Sequence, residues 1–330
     1  MMKVLITGST GFLGHHVNKE LLTHDDVFPI YTSSTRRDNH ILCDLTNIEE
    51  VRNAVYASQP DAILHMAALC GGILANRNRP ADFLVINTHM GLNIFQAVAD
   101  YQHDIQKNIK VYTLGTVCAY PKHCPVPFKE DDLWNGAPEE TNAPYGHAKR
   151  TLLMLQNSYR QQYGIGGAHL IPVNLYGPQD HFDLTNSHVI PALIRKFTDA
   201  VDNKNDEVEL WGTGEATREF LYAGDAAKAI VGAVTSGLDT DLPINIGAGR
   251  DISIRELADQ IAKLCGYKGK IVYDSSKPDG QPRRKLDISR AKELLGFEAQ
   301  TNLLKGLVNT ICWYQENKKT IEDTHDTIPT

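Results

Sequence analysis

The chain opens on an apolar run, Lys3-Val-Leu-Ile-Thr7, and through its first half alternates such runs with longer amphipathic stretches. Short β-branched runs alternating with helix-length stretches form the βαβ pattern of a parallel sheet. The pattern predicts strands over 3–7, 28–32, 41–43, 62–66, 110–114 and 169–173. Helices are expected between them, over 14–23, 48–57, 82–100 and 145–163. After about Gly177 the pattern becomes irregular. Pro and Gly are more frequent there, and strand-like runs stand alone at 208–211, 244–246 and 271–273. One helix start is clear: Ser253-Ile-Arg-Glu256 reads as a capping box, with Leu257, Ile261 and Leu264 following on one face. The expected fold is α/β, a Rossmann-type doubly wound parallel sheet over 1–176 with a smaller, loop-rich substrate lobe over 177–330. A strand near 243–247 is expected to return to the first sheet. The polar tail after Lys318 is expected to fray.

Composition narrows the class. A chain of 330 residues, 42% apolar and 22% charged, buries enough surface to need no disulfide or metal staple. Its formal charge of −7 argues against nucleic acid or an anionic membrane as a partner, so an anionic ligand needs a local cationic cluster. The six cysteines are scattered, with no CxxC pair and no clustered histidines, which speaks against a metal site and for reduced thiols. The longest mostly apolar run, 62–75, is too short to span a bilayer, and no basic leader precedes the first strand. A cytoplasmic protein is expected.

Directly after the first run stands Thr7-Gly8-Ser-Thr-Gly11-Phe-Leu-Gly14, leading into a helix. Gly8 permits the sharp turn, Gly11 lets backbone approach a pyrophosphate, and Gly14 lets the helix pack close on the strand. The helix N-terminus adds unpaired N–H donors. A glycine trio alone also fits an ordinary strand–helix turn; its position after the first strand favours a dinucleotide. NAD-specific sites usually carry an acidic residue at the end of the second strand. Here Tyr31-Thr-Ser-Ser-Thr-Arg36-Arg37 carries none before Asp38. Arg36 suits a 2′-phosphate, which favours NADP(H), although both arginines also read as solvated loop residues.

Tyr145 and Lys149 stand four apart at the start of a helical stretch and face the same way. Thr116 follows the strand 110–114 at its carboxyl end, where ligands of open α/β sheets bind. A neighbouring ammonium and the nicotinamide charge favour the phenolate, which is expected to lower the tyrosine pKa from about 10. Lys149 can also bind the nicotinamide ribose.

The glycine loop, Tyr145-Gly-His-Ala-Lys149 and Thr116 resemble the extended short-chain dehydrogenase/reductase family. Further segments resemble, within it, the GDP-L-fucose synthases, which are GDP-4-keto-6-deoxy-D-mannose 3,5-epimerase/4-reductases. These are Gly71-Gly-Ile-Leu-Ala-Asn76, Pro80-Ala-Asp-Phe83, Gly115-Thr-Val-Cys-Ala-Tyr-Pro-Lys122 and Asn174-Leu-Tyr-Gly-Pro178. Asn186-Ser-His-Val-Ile-Pro191, Trp211-Gly-Thr-Gly214, Arg218-Glu-Phe-Leu221 and Ser276-Lys-Pro-Asp-Gly280 extend the likeness to about Lys318.

The resemblance implies that Tyr145 donates a proton to the C4 oxygen, with Lys149 assisting and Thr116 standing where the family usually has Ser. It implies Cys118 and His188 as the acid/base pair for epimerisation. By spacing alone these two read as a packing thiol and a helix-cap residue. The resemblance further implies Arg218 and Lys277 at the GDP portion with Trp211 close by, and Asn174, Asn186, Ser187 and Lys196 around the substrate. Lys196 reads equally well as part of a solvated helix face. Arg283 and Arg284 are further cations near that end, and Cys70 and Cys124 read as structural. Dehydratases of this kind place Asp-Glu after the threonine, where this chain has Val117-Cys118, so dehydration is not expected. A homodimer pairing the helices at 82–100 and 145–163 is implied as well.

Overall fold

The computed structural model describes residues 1–183, 187–277 and 279–325. The first half runs β1 (Met2–Thr7), α1 (Phe12–Leu21), β2 (Val27–Ser33), β3 (His40–Leu42), α2 (Ile48–Ser58), β4 (Ala62–His65), α3 (Ile73–Asn78), α4 (Pro80–Ile105), β5 (Lys110–Leu114), α5 (Ala143–Tyr163) and β6 (Gly166–Pro172). The second runs β7 (Asn174–Tyr176), α6 (Val189–Asp202), β8 (Glu207–Trp211), β9 (Thr217–Tyr222), α7 (Ala223–Thr235), β10 (Ile244–Ile246), β11 (Asp251–Ser253), α8 (Ile254–Leu264), β12 (Lys270–Asp274), β13 (Arg283–Arg284), α9 (Ser289–Leu295) and α10 (Leu303–His325).

Seven strands form the expected Rossmann-type sheet in the order β10-β6-β5-β4-β1-β2-β3, with every neighbouring pair parallel. Helices cover both faces, so the central strands read as unbroken apolar runs: Val4, Leu5, Ile6, Ile63, Leu64 and Val111 are at most 1% exposed. One face packs Val17 and Ile230 over β1 and β6, and the other packs Val55, Ile94 and Val98. Pro80 opens α4 in its first turn, and Pro144 does the same for α5, which ends on the left-handed Gly164.

The second half is more regular than its sequence suggested. Its strands are not isolated: β12 pairs with β8, and β7, β11 and β13 all pair with β9. Helix α7 escaped sequence reading because Ala223 to Val234 is buried almost all round and shows no polar stripe. The Ser253–Glu256 capping box forms as read. Where fraying was expected after Lys318, α10 continues to His325, anchored by the Lys318 ammonium, which bonds Asp199 at 2.7 Å and Asp202 at 2.6 Å; the remaining tail, 326–330, lies outside the described residues. No described helix is long and apolar enough to cross a membrane.

Candidate active site

Three strands of the large sheet end at one edge, and the segments leaving β1, β4 and β5 carry the glycine loop, Cys70 and Thr116. Gly8 has φ +74°, a left-handed conformation, and its missing Cβ leaves room for Ala67. A Cβ on Gly14 would lie 2.3 Å from the Gly8 carbonyl oxygen, so helix α1 reaches this loop only with glycine there. Gly11 differs: a Cβ on it would meet only the Gly8 oxygen, at 3.5 Å. Gly11 caps α1 with no side chain bonded to the helix end, leaving backbone donors for an anion. These residues fit a dinucleotide pyrophosphate. Arg36 lies exposed beyond β2.

Thr116 caps a short 3₁₀ turn, Val117–Ala119, and its hydroxyl oxygen accepts the Cys118 N–H at 3.2 Å. Its own proton therefore remains to donate. Tyr145 rises from the first turn of α5 toward the same spot, and its hydroxyl lies 3.1 Å from the Cys70 thiol. Cys70 is exposed and touches the tyrosine, so reading it as a structural cysteine is corrected. The expected fall in the Tyr145 pKa, which counted the nicotinamide charge, does not arise from the protein groups alone. Low-dielectric surroundings raise it well above 10, and the Cys70 and Cys118 thiols add to the rise. Lys149 lies 5.8 Å from the ring centroid and does not offset this.

Lys149 is 4% exposed, and burial lowers its pKa, with Cys70 pulling the other way. Two buried histidines that sequence reading passed over lie beneath it. His65 bonds Thr7 through Nδ1 at 2.8 Å, and His169 bonds Thr113 through Nδ1 at 2.7 Å. Burial first, then the Lys149 charge, pushes both down to about 3, so both rings are neutral. The tautomer of His169 follows from its neighbours. Gln156 Nε2 donates to the Val111 carbonyl at 3.3 Å, which turns Oε1 toward Thr113. Thr113 donates its single proton to that oxygen at 2.5 Å, leaving His169 Nδ1–H to donate to Thr113. The only sequence signal was a histidine inside an apolar strand.

On the facing side Arg284 Nη1 approaches the Cys118 sulfur at 3.9 Å, and Gln281 bonds its Nε. Arg218 donates to the Thr217 carbonyl at 2.7 Å and the Asp279 carbonyl at 3.3 Å. Burial first, then repulsion from Arg284, lowers the Arg218 pKa to about 10. Lys277 sits 5.8 Å from the ring centroid of Trp211, which is 69% exposed. Asp279 ties this outer pair to the inner cluster: its carboxylate takes the Thr213 N–H and hydroxyl, both at 2.7 Å, while its carbonyl takes Arg218.

The other residues singled out in the sequence have these surroundings. His188 caps α6 and shares no hydrogen bond with Cys118 or Tyr145. Although its side chain is open on one side, the surrounding protein and then His181 lower its pKa. The Ser187 hydroxyl is buried without a partner among the described residues. Asn174 donates to the Glu219 carbonyl at 3.0 Å, and Lys196 donates to the Glu209 carbonyl at 3.1 Å; both thus brace the fold. Asn186 lies outside the described residues.

Comparison with known proteins places these features in a family. The NAD dependent epimerase/dehydratase family matches residues 4–247. The GDP-L-fucose synthase of Escherichia coli (strain K12) is 39% identical, with 96% of this chain and 97% of that protein covered. A crystal structure of a GDP-L-fucose synthetase from Naegleria fowleri bound to NADP superposes with a TM-score of 0.82 at 25% identity, covering 97% of this chain and 95% of that one. A GDP-6-OMe-4-keto-L-xylo-heptose reductase from C. jejuni gives a TM-score of 0.84 at 26% identity, covering 96% and 98%.

Proposed function

The chain belongs to the NAD dependent epimerase/dehydratase family, and from that premise we propose that it converts GDP-4-keto-6-deoxy-D-mannose to GDP-L-fucose with NADPH. The supporting observation is the convergence of Thr116, Cys118, Tyr145 and Lys149 beside the guanidinium groups of Arg218 and Arg284. Gly8, Gly11 and Gly14 would hold the pyrophosphate, Arg36 the 2′-phosphate and Lys149 the nicotinamide ribose. When bound, the cofactor supplies hydride to C4.

The protons at C3 and C5 flank the C4 ketone and are acidified by it. Cys118 and His188 remove one and return another from the opposite face, inverting each centre. The Thr116 hydroxyl and the Tyr145 phenol donate to the C4 oxygen and stabilise the enolate between these steps. Tyr145 then gives its proton to that oxygen during reduction. A raised pKa suits this role, because the donor must be a neutral phenol. Lys149, buried against the same ring, holds positive charge near the developing alkoxide. Arg218, Lys277 and Trp211 take the GDP portion with Ser187 near its phosphates, while Asn174 and Lys196, each already bonded to a backbone carbonyl, offer the substrate only their remaining N–H donors.

The test is incubation with GDP-4-keto-6-deoxy-D-mannose and NADPH in D₂O. NADPH oxidation and deuterium at C3 and C5 are expected, and Cys118→Ala should abolish the deuterium. Reduction without exchange in the wild type would leave a C4 reductase of another GDP-keto-sugar. That second reading is favoured by the likeness to the heptose reductase.

A cytoplasmic homodimer through α4 and α5 completes the reading. Leu84, Val85 and Leu92 on α4 and Met154 on α5 are 39–53% exposed, an apolar surface suited to a second copy. Light scattering at the mass of one chain would overturn it.

A further inference from the structure

The loop between β4 and α3 is held with unusual firmness around one side chain. Asn87 of α4, 5% exposed, accepts the Leu69 N–H at 2.9 Å and donates to the Leu69 carbonyl at 3.1 Å and the Phe83 carbonyl at 2.7 Å. Asn76, 2% exposed, donates to the carbonyls of Gly71 at 2.9 Å and Gly72 at 3.0 Å. Buried amides thus clamp the backbone on both sides of Cys70. The Phe83 ring meets the Tyr145 ring edge-on at 6.2 Å, fixing the other partner. Between the two clamps the Cys70 sulfur reaches the Tyr145 hydroxyl at 3.1 Å.

Four groups face this phenol: Cys70 from the loop after β4, Cys118 from the 3₁₀ turn, Phe83 from α4 and Lys149 from its own helix. Among the described residues, only Cys70 hydrogen-bonds the hydroxyl. A phenol is a strong donor, while a thiol is a weak donor and its sulfur a weak acceptor, so O–H points at sulfur. A weak acceptor orients the hydroxyl yet yields it readily to a carbonyl oxygen.

We propose that Cys70 is a positioning residue for proton transfer, holding the Tyr145 hydroxyl protonated and aimed until the substrate carbonyl replaces the sulfur. This rests on Tyr145 as the proton donor. Cys70→Val removes the acceptor at similar bulk, and Cys70→Ser restores one. In Cys70→Val, kcat for NADPH-dependent reduction should fall by about three- to tenfold. Its alkaline limb should move to lower pH, since the phenolate forms more easily, while KM for the keto-sugar changes less than twofold. Cys70→Ser should follow the wild-type profile. Coincident profiles for wild type and Cys70→Val would overturn the proposal.

A second measurement needs no substrate. In protein carrying ¹³Cζ-tyrosine, with the Tyr145 signal assigned from Tyr145→Phe, that signal should begin to titrate at lower pH in Cys70→Val. Identical titrations would reject the contact. A wild type that oxidises no NADPH would instead refute the catalytic reading, and the carbon-13 titration would still decide the role of Cys70.

Discussion

Replacing Asp180 with Asn should make stability depend less on pH, by an amount the structure allows one to work out. Asp180 lies in the turn after β7 and is 6% exposed. Its Oδ1 accepts the His181 N–H at 2.8 Å, and its Oδ2 has no partner among the described residues. With so little to offset the loss of water, burial pushes the carboxyl up from 3.8 to about 7. A folded value above the unfolded one means that the native state holds more protons between them. Stability attributable to this group is therefore intact below about pH 4 and lost progressively as pH rises toward 7. The full loss is about 4 kcal/mol, of which about 2.5 kcal/mol falls between pH 5 and pH 8. Asn has the same shape and does not ionise. In thermal melts of the ligand-free protein, the Tm of Asp180→Asn should gain on the wild type by about 4 °C between those two pH values. Parallel Tm curves for the two proteins would refute the reasoning, since a solvated or paired carboxylate gives no such divergence.

Two further changes probe the cofactor edge and the layer beneath it. Gly14→Ala puts a methyl group 2.3 Å from one backbone oxygen and 2.5 Å from another, so α1 must retreat. Calorimetric titration should show NADPH affinity falling by about tenfold or more, and unaltered affinity would contradict the packing role assigned to this glycine. Thr113→Val strips partners from both Gln156 Oε1 and His169 Nδ1, which should cost about 2 kcal/mol or more in urea unfolding. An unchanged midpoint would contradict the stabilising role given to this buried network.

Much of the large sheet was legible because parallel strands covered on both faces must be apolar at nearly every position. The ends of β5 and β10 agree with their apolar runs to the residue. The short strands β7, β11 and β13 had no such signature. Each is two or three residues long, and each is defined by pairing with β9 rather than by its own side chains. In the site, Tyr145 and Lys149 were readable because one helical turn separates them. The contact of Cys70 with Tyr145 spans 75 residues, and that of Arg284 with Cys118 spans 166. No local pattern encodes such pairs, because they depend on where distant loops land.

One of the two edge strands of the large sheet, β10, arrives only after β7, α6, β8, β9 and α7 have been laid down. The polypeptide leaves the sheet at Pro172, builds part of the neighbouring layer and comes back to finish what it left. Cutting the gene near codon 176 would therefore yield a product with a raw edge along β6, prone to stick to its own copies. The two layers are stitched rather than hinged, and a single proteolytic nick between them would leave the molecule in one piece.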